Sequence, residues 1–140
     1  MNEILAKQLA IDFCTDVNSI LSKENVFTEY KQLEGRRIFK EGECYFKAAS
    51  VNGKIVASGR KDIIQWAREK FKTENGAWFM DMGCLHELEE GLLRFQCRIG
   101  QAHPFYIATK KSDVNTKDYD IKIYEGDELE QFRGDERFGE

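Results

Sequence analysis

Two histidines and four cysteines are the side chains of this sequence with the most specific chemistry, and each histidine lies near a cysteine. Cys84 and His86 are two positions apart on a predicted helix, so their side chains point roughly 200° apart around its axis. Cys97 and His103 are six positions apart along a predicted strand, which separates them by about 20 Å. Neither spacing matches a zinc site, and the sequence contains no Cys-x-x-Cys pair. We therefore predict no metal site in this chain.

His103 is the best candidate for a catalytic residue, acting as a proton carrier. Pro104 follows it, and a proline limits a strand to an edge, an end or a bulge, where a histidine can line a cleft. Tyr106 or Glu87 could assist it, although the sequence alone does not bring them together. The alternative is a histidine that is structural or simply exposed, and this is the commoner situation.

Other possible nucleophiles and anion sites have simpler interpretations. Cys44 and Cys97 lie near strand ends and are more typical of small core residues than of nucleophiles. Ser58 is expected to cap a helix. Gly59 and the two cations after it open a predicted helix, as in phosphate sites, but an ordinary helix start explains a single glycine. Three carboxylates are expected to form the solvated face of a helix: Glu87, Glu89 and Glu90.

Charge and hydropathy limit the classes of partner. The net charge is −4 and most basic residues alternate with acidic ones, whereas binding to a phosphate backbone needs clustered cations. The densest basic segment is Arg36-Arg37, near Lys31 and Lys40, and we expect a solvated loop there. The sequence shows neither a secretory signal nor an apolar stretch of the ~20 residues that a membrane span needs. We expect no nucleic acid, no membrane, reduced thiols and a cytoplasmic location.

The first half of the chain has clear local patterns. Apolar residues at helical spacing predict a helix over residues 2–13, and Thr15 or Asp16 can cap a second short helix. Asn52-Gly53 between two apolar segments predicts a β-hairpin over residues 45–58. A helix follows as far as Phe71. Its predicted buried stripe is Ile63, Ile64, Ala67 and Phe71, with Trp66 at one edge.

The second half is predicted as a strand over residues 78–80, a helix over 84–95, extended chain over 97–108, a strand over 120–124 and a helix from Glu125. Gly91 interrupts the 84–95 helix, which indicates packing that needs a small residue. Residues 1–140 are thus expected to form a single α+β domain. Its small, mostly antiparallel sheet packs with helices in the order α-α-β-β-α-β-α-β-β-α. At the end of the chain, Leu129 and Phe132 are expected to dock on the domain and Phe138 to lie beyond the packed part.

Several phrases resemble the N-terminal lobe of the two-lobed GNAT-type N-acetyltransferases of Firmicutes. The phrases are Leu33-Glu34-Gly35-Arg36-Arg37, Asp62-Ile63-Ile64-Gln65-Trp66, His103-Pro104-Phe105-Tyr106-Ile107, and residues 123–138 from Ile123 to Phe138. Together they extend over nearly the whole chain. The resemblance implies a GNAT-like lobe and a second lobe that carries the acetyl-coenzyme A site.

The cofactor loop of such proteins has the form Gln/Arg-x-x-Gly-x-Gly/Ala between a strand and a helix, and this sequence lacks it. Arg98-Ile99-Gly100-Gln101-Ala102 has its glycine at another offset and leads into Pro104. The resemblance therefore implies an accessory or substrate-side lobe without a cofactor site of its own, partnered by a second acetyltransferase lobe. The alternative is a free-standing binding module, with a β edge near Pro104 or an apolar patch as its contact surface, and self-association stays open.

Overall fold

A computed structural model describes residues 3–37, 45–104, 122 and 124–132. The chain divides into a first compact unit that ends at Ala102 and a second that begins at His103. The first unit contains all the helices and strands named below as α1–α4 and β1–β3. Its architecture is α+β, as predicted. A single domain over all 140 residues stays a prediction.

Two helices begin the first unit. Helix α1 covers Glu3–Asp12 and helix α2 covers Val17–Leu21, where the Asp16 carboxylate accepts a hydrogen bond from the backbone N–H of Ser19. This confirms the predicted helical pair and Asp16 as the cap. The buried stripe of α1 runs through Ala6, Leu9 and Ala10, whereas Ile4 is 77% exposed.

The sheet has three strands, β1 (Val26–Glu29), β2 (Phe46–Val51) and β3 (Lys54–Gly59), in the order β1-β3-β2. Strands β2 and β3 form the predicted hairpin, and Asn52 and Gly53 adopt the positive φ angles of 51° and 77° that a type I′ turn requires. Strand β1 pairs with β3 in parallel. The prediction of a mostly antiparallel sheet is therefore wrong for the described residues, whose sheet is mixed.

The central strand β3 is buried along its whole length and separates two apolar clusters. Ile55 and Ala57 face α3 and α4, whereas Val56 faces α1 and α2. This alternation follows from the period of two in a strand. It also places Ser58 on the side of Val56, toward α1.

Helix α3 covers Lys61–Phe71, and all four residues of its predicted stripe are buried. The strand predicted over residues 78–80 is wrong, because the chain forms a 3₁₀ helix there, Gly76–Trp78. The Asn75 side chain accepts a hydrogen bond from the N–H of Ala77 and so begins this turn. A Cβ on Gly76 would lie 2.1 Å from the backbone carbon of Lys54, so only glycine fits.

Helix α4 covers Met82–Leu93, two residues before the predicted helix at each end. The requirement for a small residue at Gly91 is confirmed, since a Cβ there would lie 1.8 Å from Cζ2 of Trp66. Gln96, three residues after the end of α4, has a φ of 59°, which belongs to the left-handed region. The N–H groups of Gln96 and Cys97 bond to the carbonyls of Leu93 and Leu92, which is the hydrogen-bond pair of a Schellman motif.

Asn25, just before β1, connects the end of α3 with β3 through side-chain hydrogen bonds. Its side-chain NH₂ donates to the carbonyls of Phe71, Lys72 and Glu74 at the end of α3, at 2.8–3.1 Å. Its side-chain oxygen accepts the N–H of Ile55 in β3 at 2.8 Å. One amide therefore satisfies carbonyl groups that a helix end leaves without partners.

Residues 97–108 were predicted to be extended chain. The described part, 97–104, belongs to no helix or strand, and the rest lies outside the described residues. The strand predicted at 120–124 also lies mostly outside them. In the second unit, residues from Gly126 to Phe132 form a 3₁₀ helix without a buried side chain. Leu129 was expected to dock but is 54% exposed, while Phe132 stacks edge-on against Tyr124 at 4.8 Å. Phe138 lies outside the described residues.

Candidate functional site

A buried carboxylate at the end of α1 is the centre of a polar cluster in the first unit. Asp12 is 1% exposed. Its Oδ2 accepts from Nε and Nη2 of Arg37, at 2.7 and 2.5 Å, and its Oδ1 accepts from the backbone N–H of Arg37 and from Gln8, at 2.8 and 3.0 Å. The carboxylate is therefore fully hydrogen-bonded, as burial of a charge requires.

Arg36 lies beside this pair and is 7% exposed. Its Nε donates to the backbone carbonyl of Asp12 at 3.0 Å. Its guanidinium carbon lies 4.2 Å from the centroid of the Tyr30 ring, within the range of a cation–π contact. Nη1 and Nη2 of Arg36 are shielded from solvent and have no hydrogen-bond partner among the residues that the structure describes.

The local sequence explains how both arginines reach α1. Tyr30 extends β1 by donating its N–H to the carbonyl of Gly59, and a turn follows in which the N–H of Arg36 bonds to the carbonyl of Leu33. Gly35 supplies the positive φ of 76° in that turn, and its carbonyl accepts from Gln8 of α1 at 3.0 Å.

The expected solvated loop is confirmed for Arg37, whose side chain is 55% exposed, but is wrong for Arg36, which is 7% exposed. The two side chains hold the segment after β1 against α1. The sequence signal that could have found this arrangement is the acid at the end of α1 together with a glycine before two arginines.

Opposing effects determine the protonation of Asp12. Burial by itself raises the pKa of this carboxyl, but the hydrogen bonds from Arg37 and Gln8 outweigh it, with a smaller contribution from the charge of Lys47. The pKa of Asp12 therefore lies below its usual value of 3.8. Lys47 also donates to the carbonyl of Arg37 at 3.3 Å and lies 5.2 Å from the centroid of the Phe13 ring.

Ser58 lies next to Lys47 across the β2–β3 pair and next to Thr28 across the β1–β3 pair. It was expected to cap a helix, and this is wrong: Ser58 is a fully buried residue of β3 and Arg60 is the N-terminal cap of α3. The hydroxyl of Ser58 has no hydrogen-bond partner in the described part of the chain. The α1 side of β3 thus contains one buried hydroxyl, that of Ser58, without a partner among the described residues.

A shallow groove of about 140 Å³ lies between α3 and α4. Trp66 and Gly91 form its apolar part, and Lys70 and Glu87 close one side through an ion pair of 2.7 Å. The indole is held by Phe71 and Phe95, whose rings lie 5.8 and 5.9 Å from it. The groove is open, and three of its four charged residues already have ion-pair partners, Lys70 with Glu87 and Glu90 with His86, so we assign no chemistry to it.

Comparison with models of protein families, with curated proteins and with solved structures finds no match to this chain. The site therefore has to be interpreted from its own geometry. Within the described ranges, no three His, Cys, Asp or Glu side chains form a group that could hold a metal ion. Those ranges also contain no helix of the length and apolarity that crossing a membrane requires.

The described residues do not test the catalytic role proposed for His103. His103 is exposed and belongs to the second unit, and Tyr106 lies outside the described residues. Glu87 lies on α4 and pairs with Lys70. Catalysis by His103 stays a prediction without a described partner.

The surroundings of Cys84, Cys97 and Arg60 do not favour a nucleophile or an anion site. Burial raises the pKa of the Cys84 thiol and nearby carboxylates add to the effect, which opposes formation of a reactive thiolate. The thiol of Cys97 donates to the carbonyl of Phe95 at 3.4 Å, and Cys44 lies outside the described residues. At the start of α3, Arg60 pairs with Asp62 at 2.7 Å, so its charge is already compensated.

Proposed function

We propose that this chain is an accessory, substrate-side lobe of a GNAT-like acetyltransferase. In this proposal a second lobe binds acetyl-coenzyme A, and the present chain contributes walls of the acceptor pocket and an interface. The observation that carries the proposal is the resemblance of four phrases, distributed from Leu33 to Phe138, to the N-terminal lobe of such enzymes.

Two of these phrases lie at positions that determine the fold of the first unit, which supports the proposal. The phrase from Leu33 to Arg37 forms the turn that brings two arginines to the buried carboxylate of Asp12. The phrase from Asp62 to Trp66 forms the first turns of α3 and supplies the indole against which α4 packs. Both phrases therefore supply side chains that hold elements of the first unit together.

The other two phrases begin at or beyond His103, where the second unit starts. Its described 3₁₀ helix has no buried side chain. A segment with few apolar contacts of its own gains stability from a partner surface, because burial of a leucine side chain contributes about 1.5–3 kcal/mol. We propose that this segment docks on the second lobe.

The reading frame after Glu140 tests the proposal without any protein chemistry. A lobe in which a strand and a helix flank a Gln/Arg-x-x-Gly-x-Gly/Ala loop is expected. A reading frame that ends without such a lobe, and with no separate catalytic lobe encoded beside it, would remove most of the support.

A free-standing binding module is the second candidate, favoured by three exposed apolar side chains from the end of the Gly76–Trp78 3₁₀ helix to the start of α4. Trp78, Met80 and Met82 are 66%, 42% and 80% exposed within five residues of each other. Exposed apolar side chains that are contiguous mark interaction sites more often than singly scattered ones. A monomer by light scattering whose exposed apolar segment binds no hydrophobic dye would count against this candidate.

A further inference from the structure

Arg36 combines deep burial with unused hydrogen-bonding capacity. A buried cation is costly unless it is paired, yet among the described residues the guanidinium of Arg36 makes one polar contact, from Nε to the carbonyl of Asp12. The carboxylate of Asp12 is directed to Arg37 instead. Stacking on Tyr30 offsets part of the cost but leaves Nη1 and Nη2 without acceptors in the described chain.

The unused donors form one geometric unit. Nε is occupied, so the two Nη groups remain at the outer end of a planar fork. Such a fork matches two oxygens of a carboxylate or a phosphate group, each oxygen accepting one N–H. Both Nη groups are shielded from solvent in this structure, so an oxyanion reaches them only when the residues that cover them move apart. An ion pair formed there is stronger than the same pair at an exposed surface.

We propose that the end of the Arg36 guanidinium binds one oxyanionic group, a carboxylate or a phosphate, that belongs to a small-molecule ligand. The ring of Tyr30 holds the plane of the guanidinium, and the Asp12 carbonyl fixes its rotation through Nε. The pair of Asp12 and Arg37 positions the backbone and contributes no acceptor to the ligand. The site is distinct from any acetyl-coenzyme A loop and does not depend on the function proposed above.

A trapped water is the simplest competitor, since water also accepts hydrogen bonds from buried donors. It leaves the positive charge of Arg36 uncompensated, whereas an oxyanion neutralises it. The two therefore differ in one measurable respect: only the oxyanion site responds to the concentration of added anion.

The test is thermal unfolding in sodium acetate, sodium phosphate and sodium chloride at equal ionic strength. At ten times the dissociation constant, a single-site ligand raises the ratio of folded to unfolded protein about elevenfold. Phosphate and other kosmotropic anions also stabilise folded proteins in general, so the binding effect is the rise in unfolding midpoint of the native chain beyond that of Arg36→Lys, which keeps the charge and removes the fork. We expect such an excess in acetate, in phosphate or in both, and the salt with the larger excess identifies the oxyanion class. Arg60→Lys is the matched control, because Arg60 pairs with Asp62 at the surface, and it should respond as the native chain does.

A second measurement keeps the proposal testable if Arg36→Lys does not fold. The side-chain ¹⁵N resonances of Arg36 in the native protein should shift and saturate as acetate or phosphate is added, and those of Arg60 should not. Unchanged Arg36 resonances, or an equal stabilisation of Arg36→Lys and the native chain, would overturn the proposal.

Discussion

Replacing Gly91 by alanine tests the packing of α4 on α3 most sharply. An added Cβ would lie 1.8 and 2.2 Å from Cζ2 and Cη2 of Trp66, far inside the ~3.5–4.0 Å at which carbon atoms normally meet. The indole cannot move freely, because Phe71 and Phe95 contact it from two directions. Either the two helices separate or the ring leaves its position.

The expected change in the free energy of unfolding of Gly91→Ala is the difference between two effects. Overpacking of a close contact costs about 1–3 kcal/mol, and the severity of this overlap places it near the upper end. Alanine recovers about 1 kcal/mol through its greater helix propensity. Gly91→Ala is therefore expected to lower the free energy of unfolding by about 2 kcal/mol, which corresponds to roughly 4–8 °C in the thermal midpoint at ~2–4 °C per kcal/mol.

Gly83→Ala is the matched control, since Gly83 lies in the first turn of the same helix and its nearest atom to an added Cβ is the Asp81 carboxylate at 4.0 Å. There alanine should stabilise by about 0.5–1 kcal/mol. Urea unfolding of both variants, repeated with Trp66→Phe, would measure the coupling between the two positions. Gly91→Ala as stable as the native chain, or the same loss in the Trp66→Phe background, would refute the packing proposed here.

Three further changes test separate parts of the first unit. Gln96→Gly should stabilise by about 1 kcal/mol in thermal unfolding, because Gln96 holds a positive φ of 59°; Gln96→Ala should not, and equal effects would contradict the argument. Asn25→Ala should cost about 2–4 kcal/mol, since four hydrogen bonds are lost; a loss below about 1 kcal/mol in urea would contradict the role of Asn25 at the end of α3. Asp12→Asn should cost about 1.5–3 kcal/mol at neutral pH. The pKa of Asp12 is lowered in the folded state, so the stabilisation by its carboxylate is present above about pH 3.8 and is lost as the pH falls through the native pKa. A difference in stability between Asp12→Asn and the native chain that does not change with pH would contradict this.

Local signals predicted much of the first unit. Asn52-Gly53 fixed the hairpin because only a few residue types adopt two successive positive φ angles without strain. The stripe of α3 was predicted because its apolar residues recur with the helical period. Gly91 was identified because a glycine inside a helix is unfavourable unless packing requires it.

Other features depend on contacts that are distant in sequence. The parallel pairing of β1 with β3 leaves no periodic signal in the four residues of β1. The segment 78–80 is apolar enough for a strand, but the side chain of Asn75 and the close approach of Gly76 to Lys54 select a turn. The cluster of Asp12, Arg36 and Arg37 was missed because its parts are 24 and 25 positions apart.

The central claim is that this chain is a lobe whose cofactor binds elsewhere. Its most direct test is isothermal titration of acetyl-coenzyme A into residues 1–140 and, in parallel, into the product of the full reading frame. We predict heat of binding at micromolar concentrations for the longer product and none for residues 1–140. Micromolar binding by residues 1–140 alone, or no binding by either product, would contradict the account.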